Sequence, residues 1–271
     1  MKVRRVHFHV NGSKPRAKAA QKTLAAALPS FGMKLCGKGG DADLVIALGG
    51  DGTILRAAKS HPDTPVVGFN LGGLGYLASV ERRDFMKALA AIAEGRFKMS
   101  RRTMLEARKA GAPDRAAIAL NDIVLMRQLS GHAAILDLAV DGHGAARYFA
   151  DGLVFATPTG STAYSLSAGG PVLMPDSASF VVTPMNPHAL GIRPIVLSDA
   201  VSIAATSRAR DNERDGKIGV YADGENVLML DDGETVEIRK APECALMAEL
   251  EGYDPYEVLS RKLGWTGSCV K

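Results

Sequence analysis

Two rhythms of apolar and polar residues divide this 271-residue chain. In the first third, short apolar runs alternate with stretches at helical spacing. Val3 to Val10 reads as a strand, Asn11 to Ser13 as a turn, and Pro15 to Leu28 as an alanine-rich helix. Asp43 to Leu48 is a second strand ending in glycine, followed by a helix from near Thr53 through Lys59. His61, Pro62 and Asp63 break that helix, Pro65 to Asn70 is another strand, and Glu81 to Glu94 is an amphipathic helix. Strand alternating with helix predicts a parallel sheet with helices on its faces. Ligands of such sheets bind beyond the carboxyl ends of the strands.

From about Met99 the helical period fades and the spacing becomes two. Ile118 to Met126 and Ala134 to Val140 read as strands, followed by Ser179 to Thr183, Val201 to Ala205 and Thr235 to Ile238. Asp141-Gly142, Asp223-Gly224 and Asp232-Gly233 supply the positive φ of hairpin turns. Pro255 to Leu263 reads as a terminal helix, which needs a partner for its apolar face and is expected to pack back on the first domain. The predicted fold is therefore α/β plus all-β. A Rossmann-like domain spans 1–98 and takes in 253–271, and an antiparallel β-sandwich spans 99–252.

Composition narrows the functional classes. Lys and Arg exceed Asp and Glu by 33 to 29, a net charge of +4 that suits an anionic ligand. The basic cluster from Arg96 to Arg102 reads as solvated surface, so no nucleic-acid partner is expected. Cys36, Cys244 and Cys269 lack both disulfide pairing and metal spacing, which fits a reducing cytoplasm. The apolar stretch at the amino terminus is too short for a signal peptide, and no later run is long enough to span a membrane.

Two glycine-rich segments carry the chemistry. LGGDGT, Leu48 to Thr53, lies where an apolar strand meets a helix, so backbone amides can approach phosphate while Asp51 faces the reacting centre. A tight strand-to-helix connection would read the same way. The chain has neither G-x-x-x-x-G-K-[ST] nor a G-x-G-x-x-G after its first strand, which argues against a P-loop and ordinary dinucleotide chemistry. A carboxylate beside phosphate needs a proton or a metal between them, so Asp51 is a candidate general base or metal partner. The second segment, DGLVFATPTGSTAYSLSAGGP from Asp151 to Pro171, carries more hydroxyls than an ordinary strand and suggests a nucleotide ligand. His7 and His9 project to one face of a strand as a possible metal pair, but no third ligand is evident, and neutral strand histidines are the favoured account.

These segments, with NLGGLGYL at Asn70 to Leu77, Asn121-Asp122 and TPMNPHAL at Thr183 to Leu190, make the chain resemble the NAD kinase family. The blocks come in family order across most of the chain, and the long segment is the specific one. The resemblance implies that Asp51 is catalytic, accepting or orienting the proton of the adenosine ribose 2′-hydroxyl as it attacks the donor's terminal phosphate. It places Gly49, Gly50, Gly52 and Thr53 around the donor phosphates. Asn121 and Asp122 then bind the acceptor dinucleotide, although a β-turn explains that pair equally simply. Asp151 falls near the nicotinamide end, and Thr162, Ala163, Tyr164, Ser165, Leu166 and Ser167 form the loop that wraps the dinucleotide. The resemblance extends to Arg56, Thr159 and His132, for each of which an ordinary surface or strand role stands beside ligand contact.

One departure is visible. Phe149 stands where many relatives carry arginine, and Arg147 lies two residues earlier. The implied reaction is phosphoryl transfer from ATP to NAD, with Mg2+ or another divalent metal arriving with ATP. The resemblance also implies a homodimer or homotetramer. A lipid kinase of the diacylglycerol or sphingosine type shares the GGDGT loop, and a noncatalytic NAD sensor could keep the pocket without the chemistry. Both stand as alternatives at this point.

Overall fold

The parallel sheet expected in the first third is present in a computed structural model, which describes residues 1–12, 14–37, 42–72, 75–112, 116–128, 133–209 and 217–265. The chain divides into two compact units, Met1–Arg101 with Ala245–Lys271, and Arg102–Cys244. In the first, β1 (Arg5–Val10), α1 (Pro15–Ala27), β2 (Lys34–Leu35), β3 (Leu44–Gly49), α2 (Asp51–Ser60), β4 (Val66–Asn70) and α3 (Phe85–Ala93) follow in order. The strands run parallel in the spatial order β2-β1-β3-β4. Every residue of β3 is buried, because helices cover a parallel sheet on both faces. Leu24, Leu28, Ile46, Phe69, Leu89 and Ile92 belong to the core of this unit.

Strand order reverses between β1 and β3. One connection leads outward from β1 to β2 and the other leads from β3 to β4, so the switch point lies at the carboxyl end of β3, where Gly49 and Asp51 follow.

The second unit is built from two antiparallel layers. The elements are β5 (Phe97–Lys109), β6 (Ala117–Ala119), β7 (Asp122–Arg127), β8 (Ala134–Val140), β9 (His143–Ala150), β10 (Gly152–Ala156), the single turn α4 (Tyr164–Ser167), β11 (Ser179–Met185), β12 (Ile195–Ser198), β13 (Ile203–Arg208), β14 (Ile218–Ala222), β15 (Glu225–Leu230) and β16 (Thr235–Leu250). One layer has the order β12-β11-β10-β7-β14-β15, and the other has β16-β13-β8-β9 with β5 and β6 beside β16. Leu125, Leu136, Phe155, Phe180, Ile203 and Val236 from both layers share one core. This is the expected β-sandwich.

Several local expectations shift. The fading period after Met99 is β5, whose alternation is hidden because it buries charged residues as well as apolar ones. Glu106 is buried on β5 between the guanidinium groups of Arg108 and Arg239, and Arg102, expected at the surface, is buried too. The span read as one strand from Ile118 to Met126 is two. Its first part pairs with β5 and its second joins the other layer, with the corner at Leu120 and Asn121. Asp141-Gly142 and Asp223-Gly224 do turn hairpins, with φ of 49° and 79° and of 49° and 83°. Asp232-Gly233 does not. It carries the chain from one layer to the other, and only Gly233 has positive φ.

The units divide inside β5 and β16 rather than at 98/99 and 252/253, because each strand is too long for one unit. The final helix α5 (Pro255–Leu263) has the bounds its sequence specifies. Asp254 caps it by accepting from the amides of Tyr256 and Glu257, Pro255 opens it, and Gly264 closes it. It belongs to the first unit, where Leu259 is buried and Arg261 pairs with Glu81 at 2.8 Å. Among the described residues, no helix is long and apolar enough to cross a membrane.

Candidate active site

Helix α2 starts at Asp51 itself, two residues earlier than its apolar spacing suggests. Gly50 takes the extended backbone of an N-cap, and an acid in the first turn is favoured by the helix dipole. The Asp51 carboxylate is held by two backbone amides from the loop after β4. Its Oδ2 accepts from Tyr76 N–H at 2.6 Å and its Oδ1 from Leu77 N–H at 3.0 Å. Gly75 makes that approach possible, since a Cβ there would lie 2.9 Å from Asp51 Cγ. Thus GGDGT and NLGGLGYL are two halves of one structure.

The three glycines of GGDGT have different roles. Gly49 ends the buried strand and presses on the buried Thr53, whose Cβ would sit 2.8 Å from an added Cβ. Gly50 has nothing within 4 Å of an added Cβ, and Gly52 meets only Arg56 Nη1 at 3.9 Å. Room for a ligand therefore lies at Gly50 and Gly52. Arg56 is exposed one turn along the helix.

At the end of α2, His61 packs against both strand histidines, its ring centroid 5.1 Å from that of His7 and 5.9 Å from that of His9. Burial first, then neighbouring positive groups, lowers the pKa of His9 and of His61, which favours neutral rings. Among the described residues, no group of three or more His, Cys, Asp and Glu side chains is arranged to hold a metal ion.

In the second unit, Asn121 and Asp122 occupy the corner where the chain leaves one sheet for the other. The amides of Leu120, Asn121 and Asp122 donate to the Asp223 carboxylate at 3.0, 2.8 and 3.3 Å. Thr157 locks the corner to the end of β10, donating its N–H to the Asn121 carbonyl at 2.9 Å and its hydroxyl to the Leu120 carbonyl at 2.6 Å. Gly160 packs so tightly here that an added Cβ would fall 2.7 Å from Asn121 Cα. Burial, and secondarily the negative charge of Asp223, pushes the Asp122 carboxyl up to about 7. At neutral pH it can donate or accept.

The long segment read as a ligand loop begins as a strand. Gly152 to Ala156 form the fully buried β10 at the centre of the six-stranded sheet. Several hydroxyls beyond it tie the turn together. Ser161 donates to the Pro158 carbonyl at 2.7 Å and accepts from Leu173 N–H at 2.9 Å. Thr162 Oγ1 donates to the Thr159 carbonyl at 3.2 Å, and Thr159 itself is buried. Ser165 is 0% exposed and shares a 2.8 Å hydrogen bond with Thr183. Tyr164 and Ser167 face solvent, while Ala163 and Leu166 are half-buried. Exposed Asp151 accepts from Asn186 Nδ2 at 2.8 Å.

Arg147 forks onto Asp137 at 2.6 and 2.8 Å, and Arg208 binds the same carboxylate at 2.8 Å. Hydrogen bonds from Arg147 first, and from Arg208, hold the Asp137 carboxyl down at about 2. Phe149 is exposed two residues further along β9. His132 lies outside the described residues. Sequence reasoning missed Asp223, which looked like one more turn aspartate, and Asn186. It also missed the Tyr76 and Leu77 amides, because backbone donors leave no mark on side-chain identity.

Residues 10–97 match the ATP-NAD kinase N-terminal domain, and residues 120–250 match the ATP-NAD kinase C-terminal domain. The chain belongs to the NAD kinase family. The NAD kinase of Syntrophotalea carbinolica is 39% identical over 231 residues, 83% of this chain and 79% of the relative. That of Acinetobacter baylyi is 41% identical over 227 residues, 82% and 73% of the two chains. Among solved structures, yeast NADH kinase complexed with NADH covers 98% of this chain, with 89% of its own length matched, at 25% identity and a TM-score of 0.88. An NAD kinase from Archaeoglobus fulgidus in complex with ATP covers 97% of this chain and is itself matched over 100% of its length, at 26% identity and a TM-score of 0.77. NAD kinases are phosphotransferases, and membership through both domains makes the chain one of them and sets the lipid-kinase alternative aside.

Proposed function

We propose that the chain transfers the terminal phosphate of ATP to the 2′-hydroxyl of the adenosine ribose of NAD, with Asp51 taking the proton. The observation that carries this reading is the Asp51 carboxylate, fixed by two amides just beyond the carboxyl end of β3. The complexes of similar proteins with ATP and with NADH support the substrates. The ribose oxygen bonds to the γ-phosphorus as the bridging bond to the β-phosphate breaks, ADP leaves with the electron pair, and the hydroxyl proton passes to Asp51. Each Asp51 oxygen that accepts from an amide retains acceptor capacity for that proton.

The open backbone at Gly50 and Gly52 receives the donor phosphates, with Arg56 near them. Asn121 and Asp122 read the adenosine end, Asp151 the nicotinamide end, and Tyr164, Ser167, Thr162, Ala163 and Leu166 border the dinucleotide. Thr53, Thr159 and Ser165 shape the loops from inside. Mg2+ travels with ATP as part of that substrate, neutralising the triphosphate. A cytoplasmic setting and a homodimer or homotetramer complete the proposal. The edge strand β12, with Ile195 and Val196 exposed, offers a surface for association that light scattering would read.

The test is Asp51→Asn with ATP, Mg2+ and NAD, scored for NADP by an NADP-specific dehydrogenase. Asn offers one acceptor where two amides donate, so some loss of stability accompanies the change, and a melting curve must show that the variant is folded. NAD binding by calorimetry is retained, and turnover falls by about 100-fold or more, the scale of a lost general base. A folded variant turning over near the wild-type rate refutes the role. Wild-type protein that binds NAD and makes no NADP indicates the sensor.

A further inference from the structure

We propose that Lys262, on the carboxyl-terminal helix, binds the terminal phosphate of the donor beside Asp51. The inference rests on the reaction proposed above. It concerns a helix outside the spans 10–97 and 120–250 that carry the family match. Lys262 Nζ stands 4.9 Å from the centroid of the Tyr76 ring, and Tyr76 is the residue whose amide holds Asp51. The ammonium is half-buried, and among the described residues no carboxylate lies within ion-pair distance of it.

A half-buried, unpaired ammonium is costly, since burial disfavours the charged form. Burial lowers the Lys262 pKa most, the charge of Asp51 acts in the opposite direction and so reaches this group, and the neighbouring charge of Arg261 lowers it further. The face of Tyr76 supplies only part of the lost hydration. Lys262 is thus a cation within electrostatic reach of Asp51 and not ion-paired with it, so it keeps its charge for an anionic ligand. The donor phosphate suits it for a second reason. A phosphate approaching Asp51 is repelled, and the chain has no P-loop lysine to offset the repulsion. Lys262 comes from the other end of the sequence to the same place. Its helix is fixed by the Asp254 cap, buried Leu259 and the Arg261–Glu81 pair, so the ammonium is positioned before the ligand arrives.

Lys262→Met keeps an apolar stem on Tyr76 and removes the charge, and Lys262→Arg restores the charge. The whole chain is used throughout, with binding of Mg2+-ATP, inorganic tripolyphosphate, adenosine and NAD measured by calorimetry alongside kinetics. The methionine variant is expected to lose about 10- to 100-fold in affinity for ATP and for tripolyphosphate and in kcat/KM for ATP, the scale of one charge-assisted contact. Adenosine and NAD affinities stay within twofold, and arginine recovers most of the loss. The fall of kcat/KM for ATP at alkaline pH moves upward in the arginine variant, which a packing role would not produce.

Tripolyphosphate affinity within twofold of wild type in Lys262→Met overturns the inference. So does a parallel loss for ATP, adenosine and NAD with a lowered melting temperature, which marks a structural lysine. Wild-type protein that makes no NADP while Lys262→Met still loses tripolyphosphate affinity means that the reaction reading has failed and the phosphate contact stands.

Discussion

Gly75→Ala tests whether the position of Asp51 sets the rate, without touching the acid. Among the described residues Gly75 is not one of the glycines with positive φ, so alanine fits the backbone and the effect is confined to its methyl group. That methyl would lie 2.9 Å from Asp51 Cγ and 3.2 Å from Oδ2, with Oδ1 nearer than either, where ordinary contact begins at 3.4 Å. The carboxylate must swing until Cγ has moved by about 0.5 Å and Oδ1 by roughly 1 Å, judged from these separations. The 3.0 Å bond from Leu77 N–H to Oδ1 does not survive such a movement. Losing one charge-assisted backbone bond lowers stability by about 1.5–3 kcal/mol. A displacement of this size at a reacting group lowers kcat about 100-fold, equivalent to about 2.7 kcal/mol of activation energy. The assay pairs urea unfolding with NADP production at saturating ATP and NAD. A kcat within threefold of wild type, in a protein destabilised as expected, would refute the claim that the amide cradle fixes the reacting geometry.

Two further outcomes concern the second unit. Ser165→Ala removes a buried hydroxyl and leaves Thr183 without its partner, so unfolding free energy drops by about 1–3 kcal/mol while KM for NAD stays within twofold. A large rise in KM with unchanged stability would return Ser165 to the ligand face. For Asp122, the folded carboxyl near 7 holds a proton that the unfolded chain, at 3.8, has released, so stability falls as pH rises from about 4 to about 7 and then levels off. Relative to Asp122→Asn, the wild type should lose on the order of a few kcal/mol between pH 5 and pH 8 in urea titrations. Parallel curves for the two proteins would rule out the buried, proton-holding carboxyl.

The fold was legible wherever one residue type answers to one local requirement. The limits of α5 follow from Asp254, Pro255 and Gly264, and two of the three Asp-Gly pairs turn hairpins as their composition demands. The reading failed where tertiary context overrides local pattern. β5 hides its period by burying Glu106 among guanidinium groups, and the corner at Asn121 exists because the Asp223 carboxylate, far along the chain, collects three amides. Hydroxyl-rich composition from Thr157 to Ser167 pointed outward to a ligand, yet Ser161 and Ser165 point inward, because a turn packed over a sheet must satisfy its own polar groups.

The site itself was half legible, for a related reason. GGDGT announces an acid in a flexible setting but says nothing of what holds it, and a strand-to-helix turn with the same letters needs no chemistry at all. The structure supplies the missing half through Gly75, a residue whose missing side chain lets a second loop close on the first and hold the acid. Neutral amide donors hold Asp51, so the carboxylate is fixed without a cation occupying it, whereas an arginine partner would bind both oxygens and block a hydroxyl. Positive charge is needed nearby but not in contact, which is how Lys262 stands across the Tyr76 ring. An acid held by dipoles and a cation not bonded to it both keep capacity for a ligand, which is what the proposed transfer asks of them.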